Sequence, residues 1–310
     1  MKSSPSLADY LQLHFIVLIW GFTAILGKLL EPLDSSAVVL FRTVLAVLGM
    51  GAVLMARKQT IRVPSADRWR LLATGGIIAL HWVTFFLAAR VANVSVCLAG
   101  MATSSLWASF LEPILLRRRV RPIEVVMGAV VMAGLYLIFR FEFDKVVGLA
   151  IAVFSAMLSS LFTIINSRFT QRLDALVISF YEMMGASVGA FGMWLVVKAA
   201  DPLEANRVIQ FVPNTFLQWL WLLVLSLVCT VYAYSAAIRL LRKFSPYLAI
   251  LTVNLEPVYG ILLAVLFFGT AERMTLGFYL GTLVILATVL VYPFLNSRLT
   301  KAEARLPTST

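Results

Sequence analysis

Four ionisable side chains lie inside long apolar stretches of the chain, where their presence needs an explanation. They are Arg42, His81, Glu182 and Glu256. A charge at the centre of a membrane-spanning helix costs about 2.5–3.5 kcal/mol even on the most lenient scale, so such residues face a cavity or a partner. Histidine and glutamate can also exchange protons when they are partly desolvated. We therefore interpret His81 and Glu256 as cavity-facing residues.

The segment Asn254-Leu255-Glu256-Pro257 is the strongest site signal in the sequence. A proline inside a helix lacks a backbone donor and clashes with the carbonyl four residues earlier, so Pro257 bends or opens the helix around it. Opened helices with free polar groups occur at membrane depth only where protein or a watery cavity covers them. The segment therefore predicts a kink at which Asn254 and Glu256 meet a polar cavity.

Arg42 and Glu182 have a second interpretation, which is a buried ion pair that holds two helices together. Each lies near the end of the first third of its apolar stretch, at near-equivalent positions of an internal repeat described below. Removing one partner of a buried pair strands a charge, so such a pair would be structural. The sequence leaves both roles open for these two residues, a structural pair or coupling groups of the cavity.

Aromatic and amide side chains complete the candidate binding site. A small-molecule pocket combines apolar walls with a few polar groups. Asn166 shares one helical face with Ser159 and Thr163, although close helix packing explains many such residues equally well. The residues predicted to bind a substrate are Trp20, His81, Trp82, Phe85, Trp107, Asn166, Tyr234, Asn254, Glu256 and Tyr259.

The composition places these residues in a membrane. Of 310 residues, 61% are hydrophobic and only 13% are charged, and the mean hydropathy is +0.93. Soluble domains carry about 25% charged residues, so this chain cannot cover a soluble surface of its size. A soluble enzyme, a disordered chain and a disulfide scaffold are excluded. The composition predicts an all-α integral membrane protein embedded in the lipid bilayer.

Ten apolar stretches approach the length of about 20 residues that a transmembrane helix needs. Barrel strands would be shorter and would alternate apolar with polar residues, which these stretches do not. The stretches are 11–30, 36–56, 71–90, 94–116, 122–139, 146–167, 175–197, 215–238, 246–268 and 275–294. No linker between them is long enough to fold as a soluble domain. The sequence therefore predicts ten transmembrane helices.

Lysine and arginine are concentrated in alternate loops, which predicts the orientation. Loops 57–70 and 117–121 are rich in basic residues, whereas loop 198–214 has few. The positive-inside rule places the first two in the cytoplasm and the third outside. With an even number of spans both termini are cytoplasmic, and we expect a multi-pass protein of the cell (inner) membrane. The net charge of +11 is scattered over loops, which argues against nucleic-acid binding.

Ten spans divide into two units of five, residues 1–145 and 146–310. An odd number of spans per unit inverts one unit relative to the other, as in many secondary transporters. We therefore predict a 5+5 inverted repeat. Thr103-Ser104 is the predicted counterpart of Glu256-Pro257.

Several catalytic signatures are absent from the sequence. It contains no GxxxxGK[ST] loop for ATP hydrolysis and no HExxH or GxSxG motif. The two cysteines, Cys97 and Cys229, lie in apolar segments without metal-ligand spacing. We therefore expect no enzyme activity, no cofactor, no metal and no ATPase partner. The oligomeric state is left open.

The last two stretches resemble a known family of transporters. The segment LEPVYGILLAVLFFGTAERMTLGFYLGTLVILATVL (255–290) is similar to the closing helices of the EamA-type branch of the drug/metabolite transporter superfamily. The segment LIWGFTAILGK (18–28) resembles the family's first helix. In the first repeat Thr103-Ser104 replaces the family's proline, and Arg117-Arg118-Arg119 replaces its Gly-Glu-Arg.

The resemblance implies a secondary carrier, often an exporter, of amino acids, related metabolites or drug-like compounds. It also implies a pocket between the two halves, with the third, fourth, eighth and ninth helices central. Two other classes are weighed against it: a membrane scaffold whose buried charges are structural, and a lipid-modifying enzyme. The enzyme lacks a catalytic cluster, and the scaffold leaves Glu256 beside a helix-breaking proline unexplained.

Overall fold

The computed structural model describes residues 5–117, 122–141, 143–200 and 210–303. Within these ranges α-helices make up nearly all of the structure and no β-strand forms. The helices are α1 Leu7–Gly21, α2 Thr23–Leu29, α3 Ser35–Ala56, α4 Ser65–Val91, α5 Val94–Met101, α6 Ser104–Leu116, α7 Pro122–Phe141, α8 Val146–Phe169, α9 Ala175–Ala200, α10 Phe216–Leu223, α11 Ala233–Leu240, α12 Pro246–Val253, α13 Glu256–Phe268 and α14 Leu276–Glu303. A π-helical segment, Val224–Tyr232, joins α10 to α11.

Eight helical units in the described part of the chain are long and apolar enough to cross a membrane. They are Leu7–Leu29, Ser35–Ala56, Ser65–Val91, Val94–Leu116, Val146–Phe169, Ala175–Ala199, Phe216–Leu240 and Pro246–Glu272. Two shorter apolar segments, Val126–Ile138 and Leu276–Tyr292, lie in α7 and α14. Each of the ten predicted stretches thus corresponds to a helical unit. The count of ten transmembrane helices stays a prediction, because these two apolar segments are shorter than a full span. The orientation also stays a prediction; most of loop 117–121 and residues 201–209 of loop 198–214 lie outside the described ranges.

The broken helices α5/α6 and α12/α13 have the same construction. In each pair a helix of 8 residues is followed by a two-residue break and a helix of 13 residues. The second break, at Asn254 and Leu255, is the kink predicted from Pro257. The similar lengths of the two pairs are what an internal repeat would produce.

The correspondence between the two breaks differs from the prediction by one residue. Because α6 and α13 begin at equivalent positions, Ser104-Ser105 aligns with Glu256-Pro257, and Thr103 lies within the break. In the structure Asn93 caps α5, since its side chain accepts a hydrogen bond of 2.9 Å from the backbone of Val96.

The two broken helices cross each other in the middle of the molecule. Helix α5 packs against α13, and α6 packs against α12. The Asn254 Nδ2 atom donates a 2.7 Å hydrogen bond to the Ser105 hydroxyl where the breaks meet. Around this crossing α4 packs against α8 and α9, and α3 packs against α9, while α7 and α14 pair with each other.

A buried carboxylate, Glu272, joins distant parts of the chain at one end of the bundle. Its two oxygens accept hydrogen bonds from Lys28 Nζ at 3.0 Å, from the backbone of Val94 and Ser95 at 3.2 and 3.0 Å, and from the Ser95 hydroxyl at 2.9 Å. Glu272 is fully buried. It therefore ties the segment after α13 to the start of α5 and the end of α2. Sequence inspection did not single out this residue as a structural link.

Candidate functional site

A cavity lies beside the crossing of the two broken helices. The cavity and the open space at its mouth together contain about 900 Å³ outside protein atoms. Its wall is mostly apolar and aromatic, with a few charged and polar groups. The lining residues are Leu13, Trp20, Thr23, Arg42, His81, Trp82, Phe85, Met101, Ser104, Ser159, Phe162, Thr163, Tyr234, Ala237, Ile238, Leu241, Ala249, Ile250, Val253 and Glu256.

The cavity brings together seven of the side chains singled out in the sequence. They are Trp20, Arg42, His81, Trp82, Phe85, Tyr234 and Glu256, from α1, α3, α4, α11 and α13. The resemblance implied a pocket with the third, fourth, eighth and ninth predicted spans central. Those spans contribute lining residues through α4, α5, α6, α11, α12 and α13. Lining residues also come from α1, α2, α3 and α8. Residues more than 200 positions apart in the sequence thus share one wall.

Arg42 is held in a fixed position on the cavity wall. Its side chain is buried, the guanidinium lies 3.6 Å from the centre of the Trp82 ring, and Nε donates a 2.8 Å hydrogen bond to the Thr230 hydroxyl. Stacking on an aromatic ring suits the flat guanidinium. Neither contact carries a negative charge, and Arg42 interacts with the carboxylate of Glu256 electrostatically without an ion pair within 4.0 Å. The cation of Arg42 is therefore available to an anionic group in the cavity.

The π-helical segment provides two of the contacts that shape this wall. Its widened turns end where the Ala233 amide donates to the carbonyl of Val228. Thr230 lies in this segment and accepts from Arg42, and the carbonyl of Cys229 accepts a 3.2 Å hydrogen bond from the Trp20 indole. Because π-turns shift the backbone partners by one residue, they leave a carbonyl free for a side chain.

His81 lines the cavity and uses one ring nitrogen to bond Ser155. Its Nδ1 lies 2.9 Å from the carbonyl oxygen of Ser155 and 2.8 Å from that residue's hydroxyl oxygen. The Ser155 hydroxyl itself donates to the His81 carbonyl at 2.8 Å, so Nδ1 is the donor in this contact. In a neutral imidazole the other nitrogen, Nε2, is then an acceptor. His81 therefore offers a hydrogen-bond acceptor beside the aromatic wall.

Glu256 is the exceptional residue of the site. It is the first residue of α13, its side chain lines the cavity, and only 6% of the residue is exposed. Among the described residues no hydrogen bond and no ion pair within 4.0 Å reaches its carboxylate, although the cation of Arg42 acts on it electrostatically. Buried carboxylates are costly unless something pairs with them. Glu256 is therefore placed to meet a group that enters the cavity.

Four predicted binding residues do not line the cavity. Asn254 is buried and links the second break to Ser105. Asn166 is buried behind the wall, where it donates a 3.2 Å hydrogen bond to the Tyr234 hydroxyl. Trp107 and Tyr259 are half-buried in packing between helices, with Tyr259 beside Gly21. The amides of Asn254 and Asn166 make hydrogen bonds within the fold, a role that sequence alone cannot distinguish from binding.

The structure does not form the predicted Arg42–Glu182 pair. Helices α3 and α9 run antiparallel, because Ser187 bonds to Thr43 and Phe180 faces Gly51. Arg42 therefore lies about six residues from Glu182 along the helix axis, which is about 9 Å at 1.5 Å per residue. Arg42 and Glu182 occupy near-equivalent positions in the two repeats, but in an antiparallel helix pair these positions lie at different depths along the helix axis. Glu182 instead accepts a 2.8 Å hydrogen bond from the Tyr234 hydroxyl.

Several wall residues carry no site signal in the sequence. Phe162 lies between His81 and Tyr234, with ring centres 5.5 and 6.4 Å away. The remaining wall of α11 and α12 consists of alanine, isoleucine and valine, which are indistinguishable from lipid-facing residues in one sequence. Ser159 and Thr163 line the cavity, and their shared face with Asn166 was the only sequence clue to α8.

Comparisons with known proteins agree with this architecture. The model of the EamA-like transporter family matches the chain twice, over residues 10–140 and 146–292. A solved crystal structure of a protein 17% identical to the chain superposes with a TM-score of 0.68, covering 93% of this chain and 98% of that chain. At that identity it supports the fold alone. No curated protein matches the chain significantly.

The two family matches together span most of the chain, and the helical structure has the apolar spans that a membrane transporter requires. The chain therefore belongs to the EamA-like transporter family, within the drug/metabolite transporter superfamily, whose members are membrane transporters rather than enzymes.

Proposed function

We propose that the protein is a secondary carrier that exports small organic solutes, such as amino acids, related metabolites or drug-like compounds, by alternating access. In this proposal it crosses the cell (inner) membrane ten times as a 5+5 inverted repeat, with units 1–145 and 146–310 and both termini in the cytoplasm. The two family matches fall on either side of residue 145, which supports that division. The absence of an ATP-binding loop from the sequence favours transport without ATP hydrolysis.

The unpartnered carboxylate of Glu256 carries this proposal. It lies on the wall of a cavity, at the first residue of a helix that begins beside a break. A carboxylate that only supported the fold would be expected to have donors from the protein, because burying a charge without them is costly. Broken helices in other transporters form solute sites in the same way, with free polar groups at membrane depth.

The charges on the wall indicate which solutes fit. Arg42 offers a cation and Glu256 an anion, and no ion pair joins them in the described structure. A solute with both a carboxylate and an ammonium group could satisfy both. The rings of Trp20, Trp82 and Phe85 would cover its apolar part. These features favour a zwitterionic compound with an apolar or aromatic side chain, a description that fits many amino acids.

Solute exchange in reconstituted vesicles tests the proposal. Purified protein would be reconstituted into liposomes preloaded with a pool of unlabelled amino acids, and uptake of each labelled amino acid would be measured. We expect exchange above protein-free liposomes, strongest for zwitterions with large apolar side chains. The same vesicles loaded with small organic cations or anions of one charge would give weaker exchange.

A scaffold without transport activity predicts a different result. Folded, reconstituted protein would then exchange none of these solutes above the level of protein-free liposomes, nor would it exchange the singly charged compounds. That outcome would contradict the carrier proposal. Exchange restricted to singly charged compounds would keep the carrier and reject the assignment of both charges to one solute.

A further inference from the structure

Glu182 is a buried carboxyl group one layer behind the cavity wall. It lies on α9 and has no exposed surface. Gly75 on α4 packs directly against its backbone, so the two helices approach closely at this level. The site described above does not use Glu182, and the ion pair predicted for it does not form. A group of this cost therefore needs another role.

The hydrogen bonds around Glu182 are incomplete in a specific way. The Tyr234 hydroxyl donates to Glu182 Oε2 at 2.8 Å and accepts from Asn166 Nδ2 at 3.2 Å. The other oxygen, Glu182 Oε1, and Asn166 Oδ1 are both buried without a partner. An ionised carboxylate can only accept, whereas a protonated one also donates. Glu182, Tyr234 and Asn166 together therefore have two acceptor oxygens without a donor. A proton on Glu182 would supply the missing donor.

No cation in the described structure takes the place of that proton. The helices packed against α9 are chiefly α3, α4 and α11. Arg42 on α3 is bonded to Thr230 and stacked on Trp82, and His81 on α4 is bonded to Ser155. Tyr234 on α11 is the group that contacts Glu182. At the ends of these helices Asp67 and Arg239 have partners of their own. Arg90 has two guanidinium nitrogens without a partner, but it lies in the last turn of α4, about 22 Å along the helix from the level of Gly75 and Glu182 at 1.5 Å per residue.

We propose that Glu182 is a proton-binding site that exchanges its proton with the cavity through Tyr234. Among the described side chains, Tyr234 both lines the cavity and bonds to Glu182. It would pass its hydroxyl proton to the carboxylate while taking one from a hydronium ion in the cavity, which becomes water. The net change is one proton moved from hydronium to Glu182, and Tyr234 remains a neutral hydroxyl. Release reverses these steps.

Proton binding at Glu182 rests on the proposed carrier function only for the use that the protein makes of the proton. In a carrier, a proton bound at Glu182 would be carried or released as the cavity changes sides, which couples solute movement to a pH gradient. The binding of the proton itself does not depend on any solute. The two proposals can therefore fail separately.

Infrared spectroscopy of the reconstituted protein tests the site directly. A protonated carboxylic acid gives a carbonyl stretch above the amide bands, which shifts in deuterium oxide. We expect such a band in the wild type that weakens as the pH is raised from about 5 to about 9, because burial favours the protonated form of a carboxyl group. Glu182→Gln, which keeps the side-chain shape, should remove the pH-dependent band. Glu256→Gln makes the same chemical change on the cavity wall and should retain the band of Glu182.

A second variant keeps the test decisive if Glu182→Gln fails to fold. Tyr234→Phe removes the hydroxyl that bonds Glu182, so the band should shift in frequency and its deuterium exchange should slow. A pH-dependent band that survives Glu182→Gln unchanged would overturn the proposal. It would also be overturned by a Glu182 band of constant intensity across the pH range, or by the absence of any such band in the wild type.

Discussion

Replacing Glu272 by glutamine should destabilise the protein far more than its single ion pair would suggest. The carboxylate accepts from four donors, two at each oxygen. In glutamine an NH₂ group replaces one of the two oxygens. That NH₂ group is itself a donor, so it cannot accept the two hydrogen bonds that the lost oxygen accepted. Each lost bond to a charged acceptor is worth about 1.5–3 kcal/mol. We expect a loss of about 3 kcal/mol or more in the free energy of unfolding.

The partner lysine should matter much less. The Lys28 side chain is 25% exposed, and its amine also lies 4.8 Å from the Phe268 ring. Solvent-exposed ion pairs contribute about 0–1 kcal/mol, and because only the Lys28 end of this pair is exposed we place it at the upper end of that range. Lys28→Gln should therefore cost about 1 kcal/mol, because Glu272 keeps its other three donors. A larger loss of unfolding free energy for Glu272→Gln than for Lys28→Gln would show that the hydrogen bonds of Glu272, and not its ion pair alone, stabilise the fold.

Equilibrium unfolding in mixed detergent micelles measures both variants. Asp144→Asn is a matched control, since its carboxylate is 73% exposed and pairs with the neighbouring Lys145. A substitution of this kind should stay within about 0.5 kcal/mol of the wild type. If Glu272→Gln is no more destabilising than Asp144→Asn, the reasoning about Glu272 is wrong.

Two further predictions concern packing and orientation. Gly75→Ala should lower the free energy of unfolding by about 1–3 kcal/mol, because a Cβ at that position meets the backbone of α9. Gly76→Ala should be neutral or stabilising, because the space at that position is open. The same unfolding assay measures both variants. In a cysteine-free background, single cysteines at Arg62 and Asp144 should react with impermeant reagents from opposite sides of the membrane; labelling of both from one side would contradict the predicted topology.

Much of the fold follows from short-range patterns. Apolar stretches of the right length predict the helical units, and Pro257 predicts the break at Asn254 and Leu255. The residues of the site that were found from sequence share one property: a charged or large aromatic group lies deep in an apolar stretch. Such a group is costly wherever it lies, so its presence alone indicates a buried partner or a cavity.

The missed features depend on contacts between remote parts of the chain. Arg42 and Thr230 are 188 positions apart, and Lys28 and Glu272 are 244 positions apart. The false pairing of Arg42 with Glu182 has a geometric cause, because antiparallel packing of α3 and α9 separates their levels. Asn166 was correctly grouped with Ser159 and Thr163, yet it lies one turn beyond the cavity wall. Only the packing of helices distinguishes a lining residue from the layer behind it.

The most direct test of the cavity as a solute site is exchange by Glu256→Gln, using an amino acid that the wild type exchanges. Glutamine keeps the shape and removes the charge, and no protein donor is lost from the described contacts of Glu256. We expect the folded variant to lose exchange by about tenfold or more, equivalent to about 1.4 kcal/mol in a binding step, while Asp144→Asn retains wild-type rates. Wild-type exchange by Glu256→Gln would contradict the account.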